Sequence, residues 1–165
     1  MSYFVFPRSL RDHNLRLRPL RIRDGRFIAA GLADAAILRA CGMSDVPAAS
    51  WVSLVWWMRR TYPLAFCIEL DGRRIGFLGL YRLHPGKSAS LSLAIFDETC
   101  RNRGYGTRAL TVIVKYVRKC RLARCLDVDV MQGNPGALNF WNKAGFSEAS
   151  ASGGVLTLTR DLEQD

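Results

Sequence analysis

The chain has 165 residues, a length at which one domain buries roughly 70% of its unfolded surface, so residues 1–165 are read as a single domain. Hydrophobic residues make up 49% and charged residues 23%, an ordinary globular balance. No apolar run reaches the ~18 residues of a membrane helix, and no basic start followed by an apolar stretch marks a leader. The expectation is therefore a soluble, cytoplasmic protein with no membrane partner. Cys41, Cys67, Cys100, Cys120 and Cys125 are odd in number and lack a CxxC pair, and His13 and His84 are the only histidines. That excludes a disulfide framework and makes a metal centre improbable. The formal charge of +10 points to an acidic partner, either nucleic acid or a phosphate-rich cofactor.

In chain order, Leu15-Arg16-Leu17-Arg18 alternates apolar and basic, and Leu20-Arg21-Ile22-Arg23 resumes the alternation after Pro19. This predicts a strand with one solvated face, at a sheet edge or bulged because of the proline. From Asp24 to about Gly42 the apolar spacing is helical. Ser44–Ala49 is a loop, and Ser50 caps a helix running to about Arg60 that carries Trp51, Trp56 and Trp57. Leu64–Leu70, Arg73–Leu83 and Ala89–Phe96 then form an antiparallel meander, turned by Asp71-Gly72 and by His84-Pro85-Gly86-Lys87. A helix over about Gly104–Cys120 has Leu110, Ile113, Val114 and Val117 on one face. Arg124–Met131 is a strand, and Asn134-Pro135 opens a helix that Gly145 closes. Phe146–Ser150 and Val155–Thr159 are final strands around Gly153-Gly154. The fold class is α+β, a mixed and mostly antiparallel sheet flanked by helices.

One segment carries chemistry. Arg101-Asn102-Arg103-Gly104-Tyr105-Gly106 lies between a strand and a helix. Its glycines permit close backbone approach, and the helix behind presents unpaired N–H groups and a positive dipole end to an anion. Arg101, Arg103 and Arg108 add positive charge around it. The same stretch satisfies G-x-G-x-x-A, with Asp129 downstream as a candidate ribose ligand. Context rules against a dinucleotide site. Seven residues separate Phe96 from Gly104, only 36 follow Asp129, and the preceding strands are a meander.

A second segment decides the reading. Arg101-x-x-Gly104-x-Gly106, followed by Asn134-x-x-Ala137-x-x-x-Trp141-x-Lys143-x-Gly145-Phe146, resembles the GCN5-related N-acetyltransferase (GNAT) superfamily. The chain is similar in flavour to the branch that contains ribosomal-protein N-terminal acetyltransferases. The resemblance implies acetyl-CoA as co-substrate and a splayed strand pair that holds it. It places the pantetheine arm against backbone groups of Ala94, Ile95 and Phe96, with the Ile95 N–H stabilising the oxyanion. Backbone N–H groups of Arg101, Asn102, Arg103, Gly104, Tyr105, Gly106 and Thr107 would hold the pyrophosphate. Asn134 and Trp141 fall at cofactor-contacting positions, although Asn134 also reads as a plain helix cap and Trp141 as packing.

The same resemblance makes Asp129 the base that deprotonates the acceptor. An alkyl amine is largely protonated near neutral pH, so a base is needed. Asp127 and Asp129 alternate along one strand and share a face. Where relatives carry a tyrosine as acid this chain has Trp141, whose indole is no acid; Tyr105, Tyr116 or water is left for that role. The implied acceptor is a primary amine: a protein N-terminus or a small molecule such as a polyamine, amino sugar or amino acid. A second reading is an acetyl-CoA-binding sensor or interaction module with little turnover. Nucleic acid is disfavoured because no recognition-helix or aromatic-platform motif is present. Trp51, Trp56 and Trp57 cannot all face inward, so at least one forms an acceptor wall or a homodimer contact.

Overall fold

The computed structural model describes residues 6–40, 45 and 50–164. Cys41 and most of the expected Ser44–Ala49 loop therefore lie outside the described residues. The strands are β1 (Leu10–Asp12), β2 (Leu15–Pro19), β3 (Leu64–Leu70), β4 (Arg73–His84), β5 (Lys87–Ile95), β6 (Ala123–Met131), β7 (Ser147–Ser152) and β8 (Val155–Asp161). The helices are α1 (Gly25–Leu32), α2 (Ala35–Ala40), α3 (Trp51–Thr61), α4 (Tyr105–Lys119) and α5 (Pro135–Lys143). The eight strands of the described residues form one sheet in the order β1-β2-β3-β4-β5-β6-β8-β7. Every pairing is antiparallel except β5 with β6. The α+β mixed sheet expected from the sequence is the fold.

The meander turns as its residues require. Asp71 (φ 51°) and Gly72 (φ 79°) are both left-handed, the pair a two-residue hairpin with right-twisted strands demands. The sheet then buries both faces. Along β3, Leu64, Phe66 and Ile68 enter the core beneath α4 together with Leu110, Ile113 and Val117. Ala65 and Cys67, on the opposite face, join Ile28 of α1 and Leu54, Val55 and Met58 of α3.

Three elements differ from the sequence-based expectation. The alternation after Pro19 does not continue as strand: Ile22–Asp24 is a single 3₁₀ turn, and Asp24 is drawn inside by Arg18. β2 is not the sheet edge, because Leu10–Asp12 folds back on it. That added strand ends opposite Leu17, so Pro19 lies where no outer neighbour needs its missing N–H. The helix expected from Asp24 to about Gly42 is broken at Asp34, whose Oδ1 accepts the Ala36 N–H (2.9 Å) and restarts the backbone as α2.

Candidate active site

β5 and β6 pair only from Lys87↔Ala123 to Ser90↔Asp127. Beyond that point they separate, since β4 keeps β5 through Ile95 while β8 keeps β6 through Met131. The divergence opens a cleft of about 530 Å³. Its walls are Leu91–Ile95 of β5, Val128 and Asp129 of β6, the start of α4, and the face of α5 that carries Ala137, Phe140 and Trp141. Tyr81 of β4 closes the inner end.

The outer end is the loop before α4. Asn102 (φ 57°) and Gly104 (φ 80°) are left-handed, a bend that aims successive N–H groups into one concavity. Gly104 caps α4 with no side chain, so the first-turn amides stay open to an anion. Gly104, Gly106 and Thr107 all line the cleft. A Cβ on Gly104 would meet nothing within 4 Å; glycine is required there for its backbone conformation, not for space. This arrangement fits a pyrophosphate.

The arginines around the cradle are arranged differently from the expectation. Arg101 turns inward, its Nε donating to the Ile95 carbonyl (3.0 Å) and Nη2 to the Phe96 carbonyl (3.1 Å). It ties the loop to the end of β5. Arg108 reaches away to β1, donating to the Asp12 carboxylate and carbonyl (both 2.7 Å), because the salt bridge at the helix flank outcompetes a solvated position over the cradle. Arg108 is thereby turned from the cradle, while Arg101 still lines the cleft.

Of the sequence-predicted residues, the cleft gathers Ala94, Ile95, Arg101, Asn102, Gly104, Gly106, Thr107, Asp129 and Trp141. Phe96 faces the other side of the sheet, 5.4 Å from the Phe27 ring, and its N–H donates to the Ile75 carbonyl (2.8 Å). Because successive strand amides alternate in direction, the Ile95 N–H faces the open side. Arg103 is exposed, and Tyr105 packs against the main core with Arg108 5.7 Å above its ring. Asn134 Oδ1 accepts the Ala137 N–H (3.1 Å) as an α5 cap. Trp141 is 7% exposed and edge-on to Phe140 and Phe146.

Two residues in this region were not singled out from the sequence. Tyr81 supplies a phenol lining the cleft, whereas Tyr116 lines a separate groove between α4 and β1. Burial, then the nearby Asp129 charge, raises the Tyr81 hydroxyl above its ordinary 10; it is a hydrogen-bond donor at neutral pH. Arg82, beside it, bonds Asp129 (2.6 Å). The unbroken apolar run from Ile75 to Tyr81 hides the local backbone irregularity that brings both to the site.

Comparison with known proteins decides the family. The acetyltransferase (GNAT) family model matches residues 35–146. The chain belongs to the GNAT acetyltransferase family. An uncharacterised N-acetyltransferase of Methanocaldococcus jannaschii is 26% identical over 112 residues, 65% of this chain and 49% of that protein. This GNAT chain thus spans about half the length of the curated relative it matches. Spermidine N-acetyltransferase from Vibrio cholerae, solved with CoA and spermine, superposes with a TM-score of 0.76 at 18% identity, covering 92% of this chain and 98% of that one. RimJ from Mycobacterium smegmatis, solved with CoA-disulfide, gives 0.73 at 21%, covering 94% and 87%. A Salmonella typhimurium acetyltransferase that modifies the N-terminal serine of ribosomal protein L7/L12 gives 0.74 at 14%, covering 91% and 96%. At these identities the likeness is one of GNAT fold. Among the described residues no helix is long and apolar enough to cross a membrane, and no group of three metal-ligating side chains occurs.

Proposed function

We propose that this chain is an acetyl-CoA-dependent N-acetyltransferase acting on a primary amine by direct attack in a ternary complex. The observation that carries this reading is the splayed β5/β6 pair, with an uncapped helix N-terminus at its outer end and Asp129 at its inner end. Acetyl-CoA, when bound, supplies the acetyl group as a thioester. The amides from Asn102 to Thr107 hold the pyrophosphate, that of Arg101 being taken by the Glu98 carbonyl (3.2 Å), and Ala94 and Ile95 align the pantetheine arm along β5. The Ile95 N–H donates to the carbonyl oxygen as negative charge develops there.

Asp129 takes the proton. Its Oδ2 accepts from Arg82 and its Oδ1 from Thr157 Oγ1 (2.9 Å), yet each carboxylate oxygen has a second lone pair for an amine or an intervening water. The amine nitrogen forms the new N–C bond, the C–S bond breaks with its electron pair on sulfur, and the nitrogen proton passes to Asp129. The sulfur takes a proton from solvent, which a thiol of ordinary acidity tolerates. No phenol at Trp141 is then needed. Trp56, 52% exposed, serves as an acceptor wall or a contact in a homodimer.

Titration calorimetry with acetyl-CoA, CoA and NAD tests the cofactor half. Micromolar binding of both CoA species with NAD inert is expected; no CoA binding sinks the reading. Thiol release is then followed with spermine, glucosamine, glycine and a serine-initial peptide. Asp129→Asn is expected to lower kcat by about 10²–10⁴ with acetyl-CoA affinity unchanged. The second reading, a binding module, rests on Trp141 replacing the family phenol; CoA binding without release of thiol to any amine would favour it.

A further inference from the structure

The strand β4 carries an irregularity that the mechanism above does not use. Tyr81 pairs with Ser90 and His84 with Ser88, so Arg82 and Leu83 together oppose the single residue Ala89: a bulge. Arg82 takes the strain as a left-handed residue, φ 45°, a conformation that a long side chain rarely adopts. In a regular strand Tyr81 and Arg82 would point to opposite faces. Here the Arg82 guanidinium lies 4.9 Å from the Tyr81 ring centre, on the same side.

The guanidinium spans three strands. Nε donates to Ser90 Oγ of β5 (2.9 Å) and Nη2 to Asp129 Oδ2 of β6 (2.6 Å). Ser90↔Asp127 is the last paired position before β5 and β6 part. Arg82 therefore bridges the strands at the apex of the cleft, one step beyond where the ladder ends. With Thr157 of β8 on its other oxygen, the Asp129 carboxylate is held from both sides. The Arg82 side chain is 54% exposed and that of Asp129 27%. An ion pair this exposed adds little to stability, so the strain at Arg82 is not offset by the bond it makes. Local strain of this kind concentrates where geometry serves a site.

We propose that Arg82 is a positioning residue for the acceptor half of the site: from its left-handed position at the β4 bulge it sets the orientation of Asp129 at the cleft apex. This rests on the reading of Asp129 as the proton acceptor. The charged and titratable groups around Asp129 among the described residues are Asp127, two residues back on the same face of β6, Tyr81 and Arg82 of β4 and, along the cleft, Cys100 and Arg101 before α4 and Lys143 of α5. β5 and β8 present only Ser90, Ser92 and Thr157 there.

The test compares Arg82→Gln, Arg82→Lys, Arg82→Gly and Asp129→Asn, using whichever of spermine, glucosamine, glycine and the serine-initial peptide is turned over fastest. Arg82→Gln is expected to lower kcat for the amine at least 30-fold while its KM for the amine changes less than threefold, because a misaligned Asp129 impairs the chemical step more than binding. Its acetyl-CoA affinity should stay within twofold. Arg82→Lys, a point charge without the fork, should restore only part of the lost kcat. Arg82→Gly relieves the backbone, so its Tm should equal or exceed that of the unaltered chain while its activity falls. An unchanged kcat in Arg82→Gln, or a loss confined to KM, with Asp129→Asn inactive, overturns the inference and leaves the reading of Asp129 standing. Full activity in Asp129→Asn overturns that reading instead. Loss of acetyl-CoA affinity in Arg82→Gly would make Arg82 a support of the cofactor site and also overturn the inference.

Discussion

Arg18 has its guanidinium bonded to both oxygens of Asp24 (2.7 and 2.8 Å) and to Glu69 (2.6 Å), with Arg18 3% exposed and Asp24 fully buried. Burial alone would raise the Asp24 carboxyl, but hydrogen bonds from Arg18 and the Arg21 N–H, with the Arg18 and Arg74 charges, outweigh it and hold it below its ordinary 3.8. Removing the guanidinium leaves the buried carboxylate without its bidentate partner and with only the half-exposed Arg74 at 3.5 Å, so Arg18→Ala should cost about 3–5 kcal/mol in urea unfolding at pH 7. The sign with pH follows from the depression: Asp24 contributes fully above its unfolded value and the contribution is lost as pH falls below about 3.8 toward the folded value. In Arg18→Ala burial prevails and acid relieves the stranded charge. The stabilities of the two proteins should therefore converge below about pH 4, and parallel urea curves there would refute this account. Cys67, pushed up to about 12 by burial, stays an inert thiol and is expected to resist iodoacetamide in the folded chain.

The start of α4 joins a strained loop to a rigid helix. Gly104 at φ 80° gives the bend, and the helix behind it is anchored by Leu110, Ile113 and Val117 in the main core. Gly104→Ala places a Cβ in a left-handed conformation, a penalty of about 1–2 kcal/mol, in open space. The chain should relax by moving the loop, raising the Kd for acetyl-CoA about tenfold, or ~1.4 kcal/mol. Gly104→Asn, which tolerates that region, should lose less in calorimetry; equal losses would show that the amides of this turn are not what holds the pyrophosphate. On the other face of the sheet, Ser50 caps α3 by accepting the Ser53 N–H (3.2 Å). Ser50→Ala should lower stability by about 1 kcal/mol, read as a fall in Tm without change in CoA affinity.

Across the whole molecule, a charge of +10 surrounds a cleft proposed to take a polyanion. Much of that charge is locally neutralised, as Arg18 by Asp24 and Glu69, Arg108 by Asp12 and Arg82 by Asp129. The long-range field nevertheless favours an anionic ligand and is screened within about 10 Å at 0.1 M salt. Acetyl-CoA binding should therefore weaken severalfold between 0.05 and 0.5 M NaCl, roughly 1 kcal/mol, measured as calorimetric Kd. Saturating acetyl-CoA at about 100 times Kd should add ~2.7 kcal/mol to stability, seen as a raised Tm that CoA shares and NAD does not.

The order of strands and helices was legible because it rests on local physics. Alternation, helical spacing, Asp71-Gly72 and Asn134-Pro135 each act within a few residues, and the loop Arg101–Gly106 could be placed between a strand and a helix on that basis alone. Leu10–Asp12 was not legible as a strand, since three residues hold no period and need β2 to pair with. The break at Asp34 came from a side chain bonding the backbone two residues on, in competition with a continuous helical pattern. Contacts between distant segments decided the rest. Where β5 leaves β6 depends on β4 and β8 pulling them apart, and the pairing of Arg82 with Asp129 joins residues 47 apart. Arg108 turned from the cradle because Asp12, 96 residues away, came within 2.7 Å. The amino-acid sequence by itself determined most of the elements and the glycine turn before α4; only the tertiary structure decided which charges meet at the cleft, because pairing energies depend on distances that no local pattern encodes.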